Sequence, residues 1–355
     1  MNDGALSGRR VLVTGLGTFW GGRVALALEQ DPDVEVIVGL DTVEPKVQLE
    51  RTEYVRSDEN YSILNRIVQA TKVDTIIHAF LVVDSTQMRS RSMHEINVIG
   101  TMNLFAAASA PGSTVRTVVV KSSALVYGSG VRDPVWFTEE SRRTTLPKTA
   151  VERSLLEVEG YVRDFAEDNP HVTVALLRFS NVLGRDIVTP ITKALALPVV
   201  PSVFGYDPRF QFVHEDDVIR AMLFVLDRDL PGIYNVAGNG LLPWSEVAAI
   251  CGKRTIPMPP FGVGMATGPL RRIGVDLPPE LITLLQFGRG VDNRRLCNAG
   301  FDYGYTSAGA VRAFVEALRL KSTVGDHTPA YQYQEDVEAF FRHSPAVVRE
   351  AGTQA

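Results

Sequence analysis

One stretch, VLVTGLGTFWGG at Val11–Gly22, constrains the fold of this chain most, together with Asp41 downstream. Val11, Leu12 and Val13 are apolar, mostly β-branched and too short a run for a helix, so they predict a buried parallel strand. Thr14–Gly21 predicts a tight turn, and Gly22–Gln30 a helix with Val24, Ala25 and Leu28 on one face. Glycines at such a bend let backbone approach a pyrophosphate, which rests on the helix N-terminus and its partial positive charge. The next strand, Val34–Leu40, ends in Asp41, whose carboxylate can accept from both ribose hydroxyls of an adenosine. Glycines alone fit any tight strand-to-helix turn. With an acid at the end of the second strand they point to an adenine dinucleotide. No arginine stands at Thr42 or Val43, and the carboxylate repels a 2′-phosphate, so the pattern favours NAD over NADP.

Beyond Asp41 the alternation continues. Thr52–Val55, Val73–Phe80, Val115–Lys121 and Val172–Phe179 predict strands, and Asn60–Ala70, His94–Ser109 and Val151–Ala166 predict helices. That rhythm implies right-handed βαβ crossovers, hence an α/β fold of Rossmann type: a doubly wound parallel sheet covered on both faces. After Gly184 prolines recur and the rhythm is lost, which predicts a smaller, irregular lobe. Gly232–Gly238 looks like a strand returning to the sheet, so the lobes interleave. The expected division is a NAD-binding domain over 1–185 with 212–240 returning to it, a substrate lobe over 186–211 and 241–321, and a tail over 322–355. Val311–Leu320 predicts another amphipathic helix and Glu335–Arg342 a short one in the tail.

Composition closes off other classes. A net charge of −5 over 355 residues gives no basic face for nucleic acid. Cys251 and Cys297 stand far apart, so neither a metal site nor a disulfide framework is expected, and a reducing cytoplasm is the expected home. The N-terminus lacks an apolar targeting segment and no long apolar run follows, so no membrane span is expected.

Several segments together resemble the extended short-chain dehydrogenase/reductases of the NAD-dependent epimerase/dehydratase family. Thr14, Gly15 and Gly21 match its TGxxGxxG turn, with Thr18 at the middle glycine and Gly17 just before it. VDTIIHAF resembles the VDxVIHLAA strand, and Asn97, Gly100, Thr101 and Asn103 resemble NVxGTxN. VVVKSSALVYG resembles the SSxxVYG strand end, LRFSNVLG the LRxxNVYGP segment, and FQFVHEDDV the RDYIHVxDV segment. The resemblance implies hydride transfer on a nucleotide sugar or similar substrate, with isomerase or dehydratase outcomes, and a homodimer paired through its two long helices. It places the hydrogen bond to the reacting hydroxyl on Ser123 and contact with the substrate diphosphate or sugar on Asn181. It places cofactor contacts on Gly15, Gly17, Gly21, Asp41, Asp58, Ala79 and Phe80. His78 and His214 are read as structural.

The same resemblance exposes a gap. A tyrosine, with a free pKa of about 10, cannot take a proton at neutral pH unaided. In the family a lysine four residues on, one helical turn away, lowers it. No lysine in this chain has a tyrosine four residues before it; the aligned positions are Val151 and Leu155. Phe80 and Leu81 stand where the family has small alanines, and Phe210 where it has an arginine, with Arg209 one place off. A bacterial subgroup of epimerase-like proteins shares KSxxxVYG and EVEGYV without the pair. Two readings stay open: an enzyme with a substitute acid/base, drawn from Tyr127, Glu139, Lys148, Glu152 or Arg153, or a paralogue that keeps NAD and serves as a binding or regulatory subunit.

Overall fold

Runs such as Val11–Val13 and Val118–Val120 are wholly buried because helices cover both faces of the sheet they enter. The computed structural model describes residues 8–84, 90–259 and 277–324. Seven strands pair in parallel: β1 (Arg9–Thr14), β2 (Val34–Asp41), β3 (Thr52–Arg56), β4 (Thr75–His78), β5 (Thr117–Ser123), β6 (Thr173–Phe179) and β7 (Gly232–Val236). Their spatial order is β7-β6-β5-β4-β1-β2-β3. Strand order reverses between β1 and β4, and the crevice at that switch point is where ligands of open α/β sheets sit.

Helices α1 (Phe19–Leu28), α2 (Tyr61–Thr71), α3 (Gly100–Ala108), α4 (Ala150–Asp168) and α5 (Glu215–Asp227) build the layers. Val24 of α1 and Val218 of α5 share one core with Val11 and Val13. Leu64 of α2, Leu104 of α3 and Val158 of α4 share the opposite core with Leu12. Strand β7 lies at the sheet edge beside β6, where the sequence pattern predicts a returning strand.

Several boundaries differ from expectation, among them two that border the switch-point crevice. Strand β4 stops at His78 rather than Phe80. The helix expected from His94 begins at Ser90, and its Glu95–Ile99 turn is π-helical. Asn97 sits in that widened turn, fully buried, accepting from Val82 N (2.8 Å) and donating to Val82 O (2.9 Å). It therefore pins the chain that leaves β4.

The remaining segments form a smaller body around Phe210, Phe212 and Trp244, with short strand pairs such as Val200–Val203 beside Thr255–Met258. Among the described residues no helix is long and apolar enough to cross a membrane, and no cluster of acids, histidines or cysteines could hold a metal. The helix expected at Glu335–Arg342 lies outside the described residues.

Candidate functional site

Helix α1 begins at Phe19, earlier than the paired glycines suggest, because Thr18 is its N-cap. Thr18 Oγ1 accepts from Gly21 N (3.2 Å) and donates to Gly15 O (2.6 Å). With φ at −80° this position requires no glycine, which explains how Thr18 stands there. Gly15, at φ +74°, does require one. At Gly21 a Cβ would come within 2.2 Å of Gly15 O, so the helix can approach the strand only without one. Gly17 N donates to Asp41 Oδ2 (2.9 Å) and Val43 N to Oδ1 (3.0 Å), so Asp41 ties the glycine turn to β2.

Two cavities open beside this turn. The first, about 400 Å³, is lined by Gly15, Asp41, Asp58, Glu59, Phe80 and Gly100, among others. Under it runs a buried chain of hydrogen bonds whose direction can be deduced. Thr101 Oγ1 donates to Asn97 O (2.6 Å), so it accepts from His78 Nε2 (2.9 Å). His78 Nδ1 then accepts from Thr14 Oγ1 (2.7 Å). Burial drives the His78 pKa down to about 3, and the nearby Lys121 charge adds to this, so the ring is neutral as its structural reading requires.

Glu59 abuts this chain. Its side chain is 9% exposed, and neither carboxyl oxygen completes a hydrogen bond of normal geometry. Burial raises its pKa to about 8, and Asp41 and Asp58 add repulsion. The family-like NVIGTMN segment builds this corner: Asn103 Nδ2 donates to Glu59 O (2.9 Å), and a Cβ at Gly100 would come within 2.2 Å of Glu59 Oε2.

The second cavity, about 120 Å³, lies at the C-terminal ends of β5 and β6 and is lined by Trp20, Lys121, Ser123, Phe179, Ser180, Asn181 and Arg289, among others. Ser123 Oγ accepts from Leu125 N (3.2 Å), capping a short 3₁₀ turn while it faces the cavity. Ser122 points the other way and donates to Glu159 Oε1 (2.6 Å). Arg178 Nε bonds both oxygens of Glu159, and Arg178 Nη1 donates to Tyr127 Oη (2.8 Å). Asn181 Nδ2 donates to Gln211 O (2.9 Å) at the cavity wall, and Ser180 Oγ is buried there without a partner. Arg289 Nε donates to Gly128 O (2.8 Å), and burial lowers the Arg289 pKa to about 10.

Lys121 is the unexpected member. It is 3% exposed, its Nζ donates to Leu81 O (2.8 Å) and lies 4.7 Å from the Trp20 ring centroid. No carboxylate pairs with it among the described residues, and burial lowers its pKa to about 7.

The structure thus gathers Gly15, Asp41, Asp58 and Phe80 at one cavity and Ser123 and Asn181 at the other. Ala79 it does not: that side chain is fully buried in the core beyond the end of β4 and lines neither cavity. Val151 and Leu155 are fully buried in the sheet–helix core. None of the five substitute candidates lines the second cavity. Tyr127 donates to Asn235 Oδ1 (2.7 Å), Glu139 accepts from Asn235 N (2.9 Å), and Glu152 forms the capping box of α4 and pairs with Arg143. Lys148 and Arg153 are exposed. Phe210 is buried against Trp244, with ring centroids 4.5 Å apart, and Arg209 is exposed, so no arginine enters the cavity from that strand. Leu81 is buried and offers its carbonyl to Lys121 rather than its bulk to the crevice.

These features fit an adenine dinucleotide laid over the β1–α1 turn. Asp41 offers a carboxylate at the first cavity, α1 begins at the glycine turn, and each cavity holds an orphaned buried polar group, Glu59 in one and Ser180 in the other.

Comparison with known proteins agrees. The sequence profile of the NAD dependent epimerase/dehydratase family matches residues 11–237. An uncharacterised protein of Mycobacterium tuberculosis is 32% identical over 325 residues, covering 89% of this chain and 86% of its own. The crystal structure of UDP-glucose 4-epimerase from Thermotoga maritima with UDP-glucose superposes with a TM-score of 0.67 at 17% identity, over 88% of this chain and 99% of that one. The UDP-glucose 4-epimerase of Thermus thermophilus in complex with NAD gives 0.67 at 20% identity, over 87% and 99%.

Proposed function

The chain belongs to the NAD dependent epimerase/dehydratase family, and we propose that it holds NAD over the β1–α1 turn and acts on a nucleotide-linked sugar, or a similar hydroxyl or carbonyl substrate. The observation that carries this reading is the second cavity, where Lys121, Ser123 and Asn181 converge beside Trp20 of α1. The related fold of an epimerase that contains UDP-glucose, and of another that contains NAD, supports the ligand classes.

In this reading Asp41 receives the ribose hydroxyls, Asp58 the adenine amino group, and Gly15, Gly17 and Gly21 let the turn lie close to the pyrophosphate, with Phe80 flanking it. Bound NAD supplies a reversible hydride acceptor. Ser123 Oγ hydrogen-bonds the reacting hydroxyl, and Asn181, with Arg289 across the cavity, orients the diphosphate or sugar. Lys121 Nζ takes the proton that the hydroxyl releases and returns it. A pKa near 7 lets Nζ do at neutral pH what an unaided tyrosine cannot. Ile99, Met102 and Tyr161, exposed on the π turn, α3 and α4, support pairing of two copies through these helices.

A second reading rests on Val151 and Leu155. Both are apolar and fully buried where the family places its proton relay, as in a paralogue that keeps NAD for binding or regulation. The purified protein separates the readings when its nucleotide content and its action on UDP-glucose and UDP-galactose are both measured. Bound NAD with slow interconversion that Lys121→Met abolishes supports the enzyme. Bound NAD without turnover supports the paralogue, and no NAD overturns both.

A further inference from the structure

We propose that the second cavity selects, among hydroxyl and carbonyl substrates, one whose carbons beyond the reacting centre form an unhydroxylated arm, held against an apolar wall of the smaller body. The proposal rests on the reading of that cavity as the place where the substrate's hydroxyl or carbonyl meets Ser123.

The lining divides by origin. Groups that can serve a polar centre lie along the strand ends, Lys121 and Ser123 on β5 and Ser180 just past β6. Ser123 Oγ accepts from Leu125 N and keeps its own hydrogen for a ligand, and Ser180 Oγ is buried without a partner. The smaller body supplies a different surface, in which Ile191, Leu281 and Leu284 of its core line the cavity together with Pro190 and Pro278. The polar residues of this wall are committed elsewhere. Thr189 bonds Thr192 in the capping box of the helix Pro190–Ala196, and Glu280, 6% exposed in the first turn of the helix Pro279–Phe287, is engaged as well. The cavity measures about 120 Å³, and an apolar cavity of roughly 150 Å³ holds one benzene-sized ring. A fully hydroxylated ring of that size would turn hydroxyls onto carbon, and each one left unpaired forfeits its hydrogen bonds to water. A methylene or methyl group in the same place buries apolar surface instead. Two kinds of molecule share this chemistry: a deoxygenated sugar on a nucleotide, and an alicyclic alcohol or ketone that carries no nucleotide.

The test is binding to the full chain loaded with NAD, using two matched pairs that each differ by one hydroxyl. UDP-6-deoxyglucose is compared with UDP-glucose by calorimetry, and cyclohexanone with 4-hydroxycyclohexanone by ligand-observed NMR. In the pair that binds, the member without the hydroxyl is expected to bind roughly ten- to a hundredfold tighter. Binding of the first pair identifies the nucleotide-linked source, and binding of the ketones alone identifies the free one. Leu284→Asn, close in size and able to donate and accept, is expected to bring the two members of the pair to near parity. Ile191→Thr serves the same purpose if Leu284→Asn does not fold. Equal affinities within a binding pair, tighter binding of the hydroxylated member, or a preference unchanged in both variants overturns the proposal while leaving the substrate site standing. Failure of all four probes to bind the NAD-loaded chain overturns the reading of the cavity as a substrate site.

Discussion

Replacing Lys121 by methionine tests whether a functional group is held in the second cavity against the preference of the fold. Burial lowers the Lys121 pKa from 10.5 to about 7. Between those values the unfolded chain binds a proton that the folded protein does not, so stability rises with pH across this window, by up to about 1.4 kcal/mol per unit. At pH 7 and below, the full penalty of about 5 kcal/mol is present. Methionine removes it while keeping an unbranched apolar stem. The variant leaves Leu81 O without its donor, about 1–3 kcal/mol, and loses the contact with the Trp20 face, about 1–2 kcal/mol. The expected net result is a protein more stable than wild type by about 2 kcal/mol at pH 7, with the advantage vanishing toward pH 9. Urea denaturation at pH 7, 8 and 9 reads both the offset and the slope. Parallel curves for the two proteins would refute the reasoning, because they would mean that Lys121 keeps an ordinary pKa in the fold.

Three further outcomes follow from the same contacts. Installing Val151→Tyr with Leu155→Lys is expected to raise epimerase turnover by roughly 10²–10⁴, read by NMR of the sugar products, at about 1–3 kcal/mol of overpacking in a core where both native side chains are fully buried. Arg178→Met strands the buried Glu159 carboxylate beside Ser122, with an expected loss of about 3–5 kcal/mol by urea denaturation, whereas losing Arg9 from its exposed pair with Asp227 should cost less than about 1 kcal/mol. Gly21→Ala is expected to impair folding or nucleotide binding, because its Cβ would meet the Gly15 carbonyl; thermal unfolding with and without NAD distinguishes the two.

Much of the sheet was legible because its strands are continuous apolar runs between helices of clear periodicity, as at Val11–Val13 and Val118–Val120. Local hydrogen bonding was less visible. Two glycines at Gly21 and Gly22 look like a turn, and only the Thr18 side chain shows that the helix has already begun. The π turn leaves no mark on apolar periodicity, since Asn97 reads as one more polar residue in a helix. Asp41 and Ser123 are marked in the sequence by standing at strand ends, and the fold places each at a cavity. Lys121 did not, although it sits two residues before Ser123 and so on the same face of β5. A lysine in an otherwise apolar strand was the available signal. Glu59 carries no mark of burial in the sequence, where it stands between Asp58 and Asn60 just before α2. That it turns inward depends on Gly100 and Thr14, which only the fold brings near. The engagement of the substitute-base candidates was hidden for a related reason. Tyr127, Glu139 and Glu152 are close in sequence to the site, but each is committed to a hydrogen bond that supports it.

The most direct test of the account is calorimetric titration of the purified chain with NAD, alongside Asp41→Ala. The glycine turn, Asp41 and the two cavities predict one NAD per chain for the wild type. They predict markedly weaker binding for the variant, which loses the proposed ribose acceptor together with the anchor of Gly17 N. An absence of NAD binding by a folded wild-type chain, or equal affinity in the variant, would contradict it.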